Sequence, residues 1–116
     1  MEVAELDAFR RRDDGALRAL YREYGRLVYA VAHRVLRQRE LAEEATQQTF
    51  VRAWQAAGGF DVERDPAPWL ATIAKRAAID IHRREARRPA GRLEDVDEHD
   101  RAVVTLPPDM GTLEAV

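Results

Sequence analysis

Between residues 17 and 35, apolar side chains recur at steps of three and four: Leu17, Leu20, Tyr21, Tyr24, Leu27, Val28, Val31 and Val35. On a helix of 3.6 residues per turn, that spacing lays down one continuous apolar face. Strand-type alternation is absent from the chain, so its fold is predicted to be all-α, a compact three- to four-helix bundle. A short first helix is expected from Val3, Leu6 and Phe9, ending near Arg12. Asp13 and Asp14 can cap the second, which should run to about Leu36. Gly25 costs about 1 kcal/mol inside it relative to alanine, which marks a close helix contact.

A third helix is predicted over 41–57. Ala42, Ala45, Thr49, Phe50, Ala53 and Trp54 face inward, and Glu40, Glu43, Glu44, Gln47, Gln48 and Arg52 face outward. Gly58 and Gly59 are expected to stop it with a left-handed cap. The loop GGFDVERD over 58–65 leads to a fourth helix. There Asp65 is a natural N-cap, and Pro66 suits the first position because its missing N–H had no partner to lose. Trp69, Leu70, Ile73, Ala77 and Ile81 form the buried stripe of that helix. It should end by Arg88, since Pro89 disfavours helical geometry in its predecessor.

The 116 residues suffice for one domain, and the net charge of −2 conceals a division. Residues 1–93 carry 18 basic side chains against 14 acids, and residues 94–116 carry one against seven. A helical domain over 1–90 is therefore predicted, followed over 91–116 by a flexible acidic linker or tail. The absence of cysteine excludes disulfides and thiolate metal sites. With no span-length apolar run and no signal-peptide pattern, the expectation is a cytoplasmic protein without membrane contact of its own.

Enzyme chemistry finds little support. His33, His82 and His99 stand apart, the acids of the third helix have no histidine on that helix, and no glycine-rich phosphate loop exists. No catalytic residue, metal or cofactor is expected. The fourth helix is more informative. Arg76, Asp80, Arg83 and Arg87 share one narrow stripe opposite the apolar side, with Arg84 and Arg88 flanking it and Lys75 and His82 widening the polar face. An ordinary solvated helix with a dipole-compatible positive end accounts for much of this. Yet five arginines between residues 83 and 92 meet only Glu85 locally, and phosphate is the common partner of an underpaired cluster. Phe60, Val62 and Trp69 either close the top of the core or frame a pocket for an unstacked base, the core being the better reading.

LAEEATQQTFVRAW, a short loop, and then PWLATIAKRAAIDIHRREARR resemble region two of bacterial sigma factors of the extracytoplasmic-function (ECF) type. ALRALYREYGRLVYAVAHRVL resembles that family's first long helix, and the match spans about residues 5–90. The resemblance implies a subunit that binds RNA polymerase core and recognises and melts the promoter minus-ten element. It places the β′ clamp helices of the polymerase on Glu44, Gln47, Gln48, Val51, Arg52 and Gln55. It places the single-stranded non-template minus-ten region on Gly59, Phe60, Asp61, Lys75, Arg76, Asp80, Arg83, Arg84 and Arg87. An anti-sigma factor is the further partner it implies. Two positions depart from the family: its usual Gln-Glu is Gln47-Gln48, and a position often held by asparagine is Arg76. Nothing after Pro89 could supply the family's second helical domain, so a fragment cut within the interdomain linker is expected. The alternative is a helical regulatory module whose basic helix binds a protein partner or its own acidic tail.

Overall fold

A computed structural model describes residues 1–88; the predicted acidic segment over 91–116 lies outside them. The described chain is all-helical: α1 (Val3–Arg10), α2 (Asp14–Leu36), α3 (Arg39–Gln55), a single 3-10 turn (Ala57–Gly59) and α4 (Pro66–Ala86). α2, α3 and α4 pack against one another as a three-helix bundle, and α1 lies on α2 and the 3-10 turn.

Local chemistry starts α1, α2 and α4 where side chains can satisfy their first amides, whereas α3 begins without a side-chain cap. Glu2 and Glu5 form a reciprocal capping box on α1. Asp13 accepts from the Ala16 amide at 3.1 Å, and Asp65 from that of Ala67 at 3.1 Å, with Pro66 opening α4. α2 ends at Leu36, as its apolar stripe predicts, and the left-handed residue that closes it is Arg37, with φ of 61°.

The end of α3 differs from the sequence expectation. The helix stops at Gln55, and no glycine among the described residues has positive φ. Its last carbonyls are capped from a distance instead. Arg12, itself left-handed with φ of 62°, donates from Nε to the Trp54 oxygen at 3.0 Å and from Nη2 to the Gln55 oxygen at 2.8 Å. That role also explains why α1 ends at Arg10, before Arg12 turns away. At its other end α3 begins two residues earlier than its apolar stripe suggests, behind Gln38.

The core has two parts. Around the fully buried Phe9 gather Trp54, Phe60 and Trp69, with ring centroids 6.1–6.5 Å from it, and Leu20, Val28, Phe50 and Leu70 extend this cluster. The second holds Tyr29, Ala32, Leu36, Ala42, Ala45, Ala78 and Ile81. Thr46 and Thr49 are buried within α3 and donate to the carbonyls of Ala42 and Ala45, so neither hydroxyl is stranded. Gly25 is buried, consistent with a close contact along α2.

The two ends of the 12–58 region separate experimentally. Arg12→Ala should lower unfolding free energy by about 1 kcal/mol through loss of the α3 cap. Gly58→Ala should be neutral or stabilising by a few tenths, because an added Cβ there meets nothing within 4 Å and φ is not positive. Urea denaturation of both variants tests this; a larger loss from Gly58→Ala would restore the glycine as the helix stop.

Candidate nucleic-acid interface

On α4, Lys75, Arg76, Asp80, Arg83 and Arg87 are all exposed, away from buried Leu70, Ala74, Ala77, Ala78 and Ile81. Among the described residues, Lys75, Arg76, Arg83 and Arg87 form no ion pair. From Arg76 to Arg87 this open positive surface runs roughly 16 Å along the helix at 1.5 Å per residue.

Arg84 is different. Its guanidinium lies in the seam between α3 and α4, with Nη1 2.6 Å and Nη2 3.1 Å from the two Glu44 oxygens. Nη2 and Nε also donate to Glu85, at 2.8 and 3.2 Å. The Glu85 side chain is only 6% exposed, and Arg88 approaches the same carboxylate at 3.6 Å. Hydrogen bonds from Glu44 first, then Glu85, hold the Arg84 proton more tightly than usual. The arginine cluster is thus less underpaired than its local sequence suggests, since Glu44 arrives from a helix 40 residues earlier.

The expected polymerase-contacting residues of α3 divide into two rows with a four-residue repeat. Gln47, Val51 and Gln55 are exposed, Val51 at 54%. Glu44, Gln48 and Arg52 are half-buried and turn toward α4. Gln48 donates to Glu44 at 3.4 Å and accepts from Arg52 at 3.5 Å, both long contacts, and Arg52 reaches Asp80 at 2.9 Å. Residues assigned to polymerase (Glu44, Arg52) are therefore bonded to residues assigned to DNA (Arg84, Asp80).

The loop before α4 closes over aromatic packing. Phe60 is buried, its ring 4.7 Å from Trp69 and edge-on to Phe9, so its side chain belongs to the core while Gly59 and Asp61 stay exposed. Beside it opens a cavity of about 500 Å³, lined by Gly59, Phe60, Asp61, Arg64, Trp69 and Thr72 among others. Asp61 holds the loop by accepting from the Glu63 amide at 3.0 Å, and Thr72 donates to the Pro68 carbonyl at 3.0 Å. Arg64 lies within the 58–65 loop that the resemblance assigns to promoter DNA, whereas Thr72 is not among the site residues expected from sequence, its only signal being proximity to the helix start.

No group of three or more potential metal ligands occurs among the described residues, and none of their helices is long and apolar enough to cross a membrane. Residues 20–88, the span that holds the α3 rows, the loop and the basic face of α4, match Sigma-70 region 2. The chain belongs to that family. Over 75 residues it is 40% identical to the ECF RNA polymerase sigma factor SigK of Mycobacterium sp. (strain KMS), covering 64% of this chain and 39% of that protein. SigK of Mycolicibacterium vanbaalenii is 40% identical over 88 residues, covering 72% and 45%. SigK of Mycobacterium tuberculosis (strain ATCC 25177 / H37Ra) is 37% identical over 82 residues, covering 66% and 44%. The matched region thus spans less than half the length of these relatives. No solved structure matches the chain.

In this region-two chain the seam should be unequally sensitive. Arg84→Ala removes two hydrogen bonds from the buried Glu85 carboxylate, and should cost about 2 kcal/mol. Glu44→Ala, removing a carboxylate that is 35% exposed, should cost less than about 1 kcal/mol. Chemical denaturation of both variants checks the order, and equal losses would mean Glu85 does not depend on Arg84.

Proposed function

We propose that this chain is the part of an ECF-type sigma factor that docks on RNA polymerase core and recognises and melts the promoter minus-ten element. The observation that carries the reading is the coincidence of the family match over 20–88 with unpaired cations on α4 beside an open cavity. Lys75, Arg76, Arg83 and Arg87 meet phosphates of the non-template strand, where counterion release supplies affinity without reading sequence. Gly59, Asp61 and the cavity edge take an unstacked base, whose face can lie against Trp69. Phe60 supports that site from the core. Asp80 is tied to Arg52, which fixes the middle of the face.

The row Gln47, Val51 and Gln55 offers an apolar centre flanked by amides to the β′ clamp helices of the polymerase. Glu44, Gln48 and Arg52 border it from the seam side. Such a pattern of one desolvated contact within a polar rim is typical of protein docking. An anti-sigma factor that covers either face would silence the chain, and its working compartment is the cytoplasm, where polymerase acts.

Two measurements test the two faces. Val51→Asp should weaken capture by core polymerase about tenfold, some 1.4 kcal/mol, with unchanged thermal stability. Arg83→Ala with Arg87→Ala should make the salt dependence of single-stranded minus-ten DNA binding shallower by about 1.4, two contacts at roughly 0.7 each. Wild-type protein that binds neither core polymerase nor the single strand would refute the reading.

A further inference from the structure

The Arg84 guanidinium is positioned at the edge of the positive face but is occupied on two sides. Glu44 takes it with two hydrogen bonds of 2.6 and 3.1 Å, and Glu85 with two of 3.2 and 2.8 Å. A phosphate that takes two arms of the Arg84 fork must displace a carboxylate, because Nε, both Nη2 hydrogens and one Nη1 hydrogen are already donated. Glu85 is buried, and exposing or stranding it is costly. Glu44 is 35% exposed and sits on the boundary of the proposed polymerase row, so it is the partner that can be drawn away.

Building on the proposed function, we infer that Glu44 withholds Arg84 from DNA in the free chain, and that a partner engaging Glu44 on α3 releases Arg84 as one additional phosphate contact on α4. Glu44 is then a positioning residue that acts through Arg84. Within Glu44, Arg84, Glu85 and Arg88 the formal charges cancel. Taking Glu44 out of that set leaves one positive charge at the seam, next to Arg83 and Arg87. Coupling between the faces needs no helix movement: the same carboxylate can serve either Arg84 or a cation on the docked partner, and its choice has different energies in the two states. Arg52 and Asp80 form a second cross-link, but through a single hydrogen bond of 2.9 Å to a carboxylate that is 56% exposed, so that contact is the weaker one.

The test uses the full 116-residue chain and a fluorescent single-stranded DNA, titrated across salt. Glu44→Gln keeps the side-chain shape and removes the charge. It should steepen the salt slope by about 0.7, which corresponds to roughly 2.5-fold more affinity change between about 50 and 200 mM salt. Adding Arg84→Gln to that variant should return the slope to the wild-type value, with thermal melting used to verify that it is folded. Loss of packing can weaken DNA binding but cannot add a contact, so the gain separates the proposal from a structural effect. A measurement on wild-type protein requires no variant: on adding DNA, the Nε–H NMR signals of Arg83 and Arg87 should shift and that of Arg84 should stay. An unchanged slope in Glu44→Gln, or an Arg84 signal that moves in the wild type, overturns the withholding while leaving the sigma reading intact. Absence of any DNA binding by the wild type would remove both.

Discussion

Ala42 and Ala45 of α3 and Ala78 of α4 are fully buried in one cluster, and the arrangement of the outer surface depends on how closely they let these helices approach. Helix axes separated by alanines can come near the lower end of the usual range, about 8 Å. Across this packed seam Glu44 chelates Arg84 and Arg52 reaches Asp80. A larger residue at Ala45 or Ala78 would therefore do more than overpack a core. It would open the polar seam above it, pull Glu44 away from Arg84 and change which cations face outward. Packing and surface chemistry are here one constraint seen from two sides.

The other end of α4 is fixed by different means. Asp65 and Pro66 determine where the helix starts, while Phe60 and Trp69, in contact with each other and with Phe9, determine where the preceding loop must lie. Phe9 comes from α1, outside the 20–88 match, yet its ring touches three aromatic residues that surround the loop and cavity. The N-terminal helix consequently contributes to the candidate DNA site without reaching it. Arg12, from the turn after α1, adds a second tie by capping α3 just before the 3-10 turn. The cavity is thus held by residues from both ends of the domain, which suits a site that must keep its shape while a strand is drawn in.

Features governed by neighbours in sequence were legible in the sequence, and features governed by distant partners were not. The Asp65 cap, the Pro66 start and the end of α2 depend on residues within one or two turns, and the apolar stripes locate α2 and α4, although Leu27 of the α2 stripe is exposed while Tyr29 and Ala32, outside it, are buried. The glycine pair was misread because its effect was inferred locally: a helix whose last carbonyls are capped by Arg12 has no need of a left-handed glycine. The arginine cluster was misread in part for the same reason. Counting acids near residues 83–92 finds Glu85, whereas Glu44 is 40 residues away and was assigned to an outward-facing row. The four-residue spacing of Glu44, Gln48 and Arg52 puts them in one row of α3. It could not reveal that the row faces α4, because helix rotation is set by the packing of the alanines on the other side.

Arg76 occupies a distinctive place in this arrangement. It is exposed, lies on the stripe of Arg83 and Arg87, and has no ion-pair partner among the described residues. Asparagine, which the resemblance to ECF sigma factors leads one to expect at this position, can donate and accept, and so can match the paired donor and acceptor on an adenine edge. Arginine only donates. On this surface it can bridge phosphates or seek an acceptor-rich edge such as that of guanine, and it cannot reproduce the asparagine pairing. Its long side chain also reaches farther from the α4 backbone than asparagine would, away from the rigid seam. Relative to asparagine, arginine at this position adds charge to an exposed face that already carries Lys75, Arg83 and Arg87, and gives up a side chain that both donates and accepts. On the proposed reading, base discrimination falls more heavily on the cavity edge, which Asp61, Arg64 and Thr72 help to line.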